Sequence, residues 1–399
     1  MQNIEKSKQK FEKLIKEQLE RIEKIKNQKD FVNFDEVSCI KIGICYGDGI
    51  GPIIMKSAEE VLKFLLEEEI FSKKVEVKII DGLTIENRAK LKETVPKKVL
   101  EEIKKCDVIL KGPTTTPRNG DKWPILESAN VFLRKELDLF ANLRPVKVEE
   151  EGIDWVFFRE NTEGAYTLGS CGLDFDGQMA VDFSIATEVG TKRIAKLAFE
   201  YAKKNKRKKV SIITKANIIK KTDGKFLDWC MDVAKKYPEI EVDDWYVDIA
   251  AAKLVDKKTR KDFDVLILPN LYGDILTDEA AQIQGGVGTA GSANIGKQYA
   301  MFEAIHGSAP RMVKEGLSSF ADPMSILRAE VLMLNYVGFL EKAKKLEDAL
   351  NLCSKNDEVK VTGFKDGATT KQFTDFLINS LKKTLTFWFC LTLKKMAIF

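Results

Sequence analysis

CIKIGICYGDGIGP, residues 39–52, reads as a strand that ends in a glycine turn and hands over to a helix near 52–68. Strands and helices go on alternating downstream, without an internal repeat. VEVKII, a helix near 96–105 and DVILKG follow, then WVFFRE, a helix over about 187–204, KVSIIT, a helix near 220–235, IEVDDWYVD, DVLILPN and helices between about 323 and 352. Short β-branched runs alternating with helical stretches predict βαβ units and a mainly parallel sheet in an α/β protein. The glycines of GDGIGP fit either a tight ligand-facing loop or a plain connector. A literal GxGxxG at Gly286, Gly288 and Gly291 follows a helical stretch instead of a strand, so it lacks the dinucleotide-binding context.

At 399 residues the chain is long enough for two or three domains, and its composition is that of a soluble globular protein. No apolar run approaches the roughly 20 residues needed to cross a bilayer. A net charge of +4 does not mark a nucleic-acid binder, and the basic run KKNKRKK at 203–209 sits between a helix and a strand, as a solvated loop would. His306 is the only histidine, which excludes multi-His metal sites and leaves proton transfer to Lys, Tyr, Asp or Glu. The seven scattered cysteines contain no CxxC pair and fit a reducing cytoplasm.

Residues 1–30 place Ile4, Phe11, Leu14, Ile15, Leu19, Ile22 and Ile25 among Lys and Glu, predicting an N-terminal helix that packs as an arm. The run LTFWFCLTL at 385–393 is too short to span a membrane and suggests a last strand or a subunit contact.

Asp274 and Asp278 lie four apart at the start of an expected helix, on one face, which suits either Mg²⁺ or Mn²⁺ binding or a solvated acidic face. Arg134, Arg144 and Arg159 fall in LRKEL, NLRP and FRENTE. They are either scattered surface cations or rigid guanidinium forks for a substrate with several carboxylates. Tyr166 and Lys215 are available as proton donors or acceptors.

Taken together, GDGIGP, SANVFLRKELDLFANLRP, FRENTEGAY, TKANIIKKTDG, NLYGDILTDEAAQ and EAIHGSAP, in that order, resemble the metal-dependent β-decarboxylating dehydrogenases of isocitrate, 3-isopropylmalate and related 2-hydroxy acids. The resemblance runs from about Ile40 to about Phe376. It implies a two-domain α/β fold that is not a Rossmann fold, to which the sequence adds an N-terminal helix in the extension 1–36, outside the resemblance. A large cofactor-binding domain from 37–139 plus 285–399 and a smaller dimerisation and substrate domain from 140–284 are expected.

The resemblance also implies a homodimer or larger homo-oligomer with shared active sites, working on a small-molecule substrate, while the charge balance and the short apolar runs noted above lead to the expectation of no role at nucleic acid or membranes. Arg134, Arg144 and Arg159 would clamp substrate carboxylates. Asp274 and Asp278 would bind Mg²⁺ or Mn²⁺ together with Asp248 from the neighbouring subunit. Lys215, also from the neighbour, and Tyr166 would carry the protons. His306, Gly307, Ser308, Ala309, Arg311 and Asp322 would lie on the cofactor side.

Before the first arginine, isopropylmalate enzymes present apolar residues and isocitrate enzymes present Ser-x-Asn. Here Ser128 and Asn130 can hydrogen-bond a third carboxylate, which favours isocitrate over isopropylmalate. NAD versus NADP stays open: Arg311-Met312 stands where NAD-users often have Asp and NADP-users Lys-Tyr, and Asp322 replaces a usual Asn. A non-catalytic regulatory subunit would be expected to lose proton-transfer or metal residues, and all five are present.

Overall fold

The computed structural model describes residues 2–118, 120–168, 172–286 and 288–396. They divide into two compact units, one of Met1–Val32, Val131–Gly286 and Asn294–Gln298, the other of Asn33–Asn130, Val287–Ala293 and Tyr299–Phe399.

In the second unit the parallel strands stand in the order Val75–Ile79, Ile40–Cys45, Val108–Lys111, Ala300–Ala304. The isoleucine alternation around residue 42 builds the core directly, since Ile42, Ile44, Val108, Leu110 and Phe302 are all buried. The helix Gly51–Leu65 carries Pro52 in its first turn and buries Ile54, Met55, Ala58, Val61 and Leu62, a helical spacing. Helices Met324–Tyr336, Leu340–Ser354 and Thr370–Met396 complete this unit. The run 385–393 therefore belongs to a helix and not to a last strand: it continues the helical turn of the preceding SLKKT without any Gly or Pro to break it.

In the first unit the order is Ala141–Val148, Ile153–Glu160, Val265–Leu268, Lys209–Thr214, Glu241–Tyr246, with the first pair antiparallel and the rest parallel. Trp155, Phe157, Ile213, Leu266, Leu268, Leu276 and Ala280 form its core. Each fully buried Leu, Ile or Phe among them contributes about 1.5–3 kcal/mol. A separate two-stranded hairpin pairs Leu173–Phe175 with Met179–Val181. The basic run is tied down where Arg207 bridges Asp154 and Asp264 at 2.7 and 3.0 Å.

The N-terminal helix Gln2–Lys26 packs on the helix Glu188–Lys204. Its contact line differs from the apolar stripe expected from sequence. Leu14 and Ile25 are buried, with Gln18, Arg21 and Ile22 part-buried between them, whereas Ile4, Phe11, Ile15 and Leu19 stay more than 40% exposed. Within that line Arg21 pairs with Glu163 at 2.8 Å, a polar contact that an apolar stripe does not anticipate. Among the described residues no helix is long and apolar enough to cross a membrane.

Candidate active site

Two adjacent strands and one helix of the first unit converge on a single carboxylate. Asn142 stands opposite Arg159 in the antiparallel pair, with Arg144 two residues on along the same face. The helix Asn270–Ile283 starts directly after the strand Val265–Leu268 and lifts Asp274 and Asp278 one turn apart. Asp274 Oδ1 takes a hydrogen bond from Arg159 Nη1, and its Oδ2 takes the Tyr166 hydroxyl at 2.8 Å. Arg144 Nη1 donates to Asp278 Oδ1 at 2.9 Å and to Thr277 Oγ1 at 2.6 Å.

Burial works to raise the Asp274 carboxyl, but the Arg159 charge, the Tyr166 hydrogen bond and Arg144 outweigh it and hold it below the ordinary range. Burial, with the hydrogen bond to Asp274, pushes the Tyr166 phenol up to about 12. Arg159 is lowered to about 10, first by burial and then by the nearby Arg134 charge. The two members of this ion pair fall for different reasons: burial and neighbouring cations lower Arg159, whereas the cations and the Tyr166 hydrogen bond lower Asp274 in spite of its burial. Crowded guanidinium groups of this kind are relieved by incoming carboxylates.

Sequence reasoning missed the groups that hold Arg159. Asn270 Oδ1 accepts from its Nε and Nη2 at 3.1 and 2.8 Å, and Gly273 lies against its aliphatic stem. A Cβ on Gly273 would sit 2.4 Å from Arg159 Cγ. Both residues stand in the NLYGD block, whose Gly inside a helix was the available signal.

Lys215 and Asp248 are brought together elsewhere in the same unit. Lys215 Nζ meets Asp248 Oδ1 at 2.5 Å and lies 5.8 Å over the Tyr246 ring. That contact holds the Asp248 carboxyl low. Among the described residues, no three His, Cys, Asp or Glu side chains group to hold a metal ion. The donor chemistry of Asp274 and Asp278, two carboxylates on successive helical turns, fits a hard divalent cation with part of the ligand set supplied from outside this cluster.

In the second unit the loop 305–310 lies against the glycine turn at 47–51. Ile50 N donates to Ser308 O at 3.1 Å, and Ser308 Oγ shares a hydrogen bond with Thr115 Oγ1 at 2.9 Å. Gly49 has φ +62° and a Cβ there would overlap Ser308 O, so the turn requires glycine. Gly307 faces open space, Ala309 adopts a left-handed backbone at φ 46°, and buried His306 Nε2 has no hydrogen-bond partner. An orphaned ring nitrogen beside an open glycine fits a loop that receives a dinucleotide. Burial lowers the His306 pKa.

Arg311 lies exposed on the short helix that follows and pairs with Glu315 at 2.7 Å. Asp322, just before the helix Met324–Tyr336, accepts from Met324 N at 2.8 Å, and burial pushes its carboxyl up to about 6. Ser128 and Asn130 lead the helix Ala129–Glu136 that carries Arg134, and Asn130 Oδ1 accepts from Thr114 Oγ1 at 3.0 Å.

The family model for isocitrate/isopropylmalate dehydrogenase matches residues 41–377. The NADP isocitrate dehydrogenase of Rickettsia prowazekii is 40% identical over 322 residues, which cover 77% of this chain and 62% of that protein's length. Homoisocitrate dehydrogenase of Methanocaldococcus jannaschii is 36% identical over 366 residues, 87% of this chain and 99% of that protein. A crystal structure of isocitrate dehydrogenase from Methylococcus capsulatus superposes with a TM-score of 0.75 at 33% identity, covering 86% of this chain and 99% of that one. With a fold of two α/β units and a match over most of its length, this chain belongs to the isocitrate/isopropylmalate dehydrogenase family.

Proposed function

We propose that the protein oxidises isocitrate and releases CO₂ to form 2-oxoglutarate, passing hydride to NAD or NADP with Mg²⁺ or Mn²⁺, as a homodimer or larger assembly in the cytoplasm. The observation that carries this reading is the Asp274 carboxylate held between Arg159 and Tyr166, one helical turn from the Arg144–Asp278 pair. Asp274 and Asp278 would hold the cation, joined by Asp248 of the partner subunit. When bound, the cation supplies a Lewis acid for the substrate's alcohol and keto oxygens, and the nicotinamide supplies the hydride acceptor.

The chain's own residues do the rest. Arg134, Arg144 and Arg159 bind and orient the carboxylates. Ser128 and Asn130 present a hydroxyl and an amide, which suits a third carboxylate and not an isopropyl group. Lys215 of the partner subunit takes the proton from the hydroxyl oxygen. Tyr166, protonated throughout the neutral range, returns a proton to carbon after CO₂ has left. His306, Gly307, Ser308 and Ala309 receive the dinucleotide, with Arg311 and Asp322 on its adenosine side.

An absorbance assay crossing isocitrate, homoisocitrate and 3-isopropylmalate with NAD and NADP in Mg²⁺ tests this. Isocitrate is expected to give the highest kcat/KM. A preference for 3-isopropylmalate or homoisocitrate would overturn the reading of Ser128 and Asn130. No metal-dependent turnover of any of the three would favour a regulatory subunit.

A further inference from the structure

Arg21 belongs to the N-terminal helix, outside the segment 41–377 that the family model matches. Its side chain nevertheless reaches the segment between Arg159 and Tyr166. Nη1 donates to Glu163 Oε1 and Nη2 to Thr162 Oγ1, both at 2.8 Å. Glu163 is buried and also accepts from Thr187 N at 2.8 Å and Thr187 Oγ1 at 2.5 Å. Thr162 Oγ1 donates to Glu160 Oε1 at 2.8 Å, and Glu160 Oε2 accepts from Glu163 N at 2.6 Å.

The same segment is tied to the site. Glu163 O accepts from Asn270 Nδ2 at 2.9 Å, and Asn270 is the residue that holds Arg159. We propose that Arg21 is a positioning residue for the reaction, its guanidinium pinning Glu163 and Thr162 and thereby fixing the segment that carries Arg159 and Tyr166.

Two carboxylates buried three positions apart need compensation. Burial and the Glu163 charge push the Glu160 carboxyl up, and Arg21 opposes that shift. Burial also works against the charge of Arg21 itself, yet Glu163, Glu160 and Asp138 hold its pKa above the ordinary value. Arg193 adds a second cation, donating to Thr162 Oγ1 at 3.1 Å while it clasps Asp138 at 2.6 and 2.9 Å. Arg21 is the one of these two that reaches the Glu163 carboxylate. A planar fork that spans a carboxylate and a hydroxyl is a task lysine performs only by half.

The test compares the native chain with R21Q and R21K, using amide hydrogen exchange over residues 160–168, kcat and KM for isocitrate, and the thermal midpoint. R21Q is expected to exchange faster over 160–168 and to lose about tenfold in kcat, as small misplacements of reacting groups do. R21K should recover part of both. Unchanged exchange in R21Q overturns the proposal, and so does faster exchange with native kcat, which would make Arg21 merely structural. If R21Q does not fold, R21K decides on the same criteria, with exchange between native and fully released expected. The kinetic arm rests on the dehydrogenase reading. If the native chain fails to turn over isocitrate, that reading falls, while exchange still decides whether Arg21 holds the segment.

Discussion

Tyr166 donates a hydrogen bond from its hydroxyl to Asp274 Oδ2 at 2.8 Å, so the proposed proton donor is bonded directly to a carboxylate proposed to hold the cation. Removing the hydroxyl leaves both Asp oxygens in place. Tyr166→Phe is expected to lower kcat by about 10²–10⁴-fold, the range for a lost general acid. Mn²⁺ affinity by calorimetry should change little. Because the phenol is pushed up to about 12, the native enzyme's rate should show no alkaline fall from this group between pH 7 and 10.

Gly273 is a steric requirement of the Arg159 stem. Ala is the better helix former by about 1 kcal/mol, yet its methyl would meet Arg159 Cγ at 2.4 Å. Gly273→Ala is therefore expected to displace the guanidinium and raise KM for the tricarboxylate about tenfold or more. A stabilised protein with native KM would show that Arg159 does not bind substrate.

Lys215 pairs with Asp248, while Asp278 pairs with Arg144. If each site takes Lys215 from the neighbour, Lys215→Met and Asp278→Asn are both inactive alone, the first with metal still bound and the second with metal binding weakened. Co-refolding equal amounts gives half mixed dimers with one sound site in two, about a quarter of native activity. Absence of recovery, with mixed dimers demonstrated, would place both residues in one protomer's site.

His306 is the sole imidazole, so its titration is read without assignment. Burial lowers its pKa below the ordinary value of about 6.5, and the unfolded chain binds the proton first as pH falls. Its contribution to stability is whole above about pH 6.5 and is lost as pH falls through the folded pKa. The histidine ring-proton resonance should titrate with a midpoint under 6.5, and His306→Asn should remove that part of the acid slope. Added NAD or NADP should move the resonance.

Strands with alternating β-branched residues, such as Ile40–Cys45 and Lys209–Thr214, were legible because the pattern that buries them is local. Gly291–Ile295 and Ala300–Ala304 were not, since GSANI and AMFEA lack that pattern and are strands only because neighbours bury all five residues of each. Ala141–Val148 lies on a recognised motif, but Pro145 masks its strand character. The Asp274 and Asp278 pair followed from helical spacing. Asn270 as the holder of Arg159, and Arg21 as the partner of a residue 142 positions away, follow from no periodicity and needed the three-dimensional chain.

The second unit's sheet sets Ile40–Cys45 and Ala300–Ala304 on either side of Val108–Lys111, although residues 112–299 of the sequence intervene between the latter two. A ribosome adding about 5–20 residues per second needs on the order of ten seconds or more to cover that distance. Through that interval the apolar flank of Val108–Lys111 awaits its mate, while the long middle insertion, Val131–Gly286, has already emerged. The nascent chain thus acquires its halves out of order, and chaperone demand should peak before residue 300 is made.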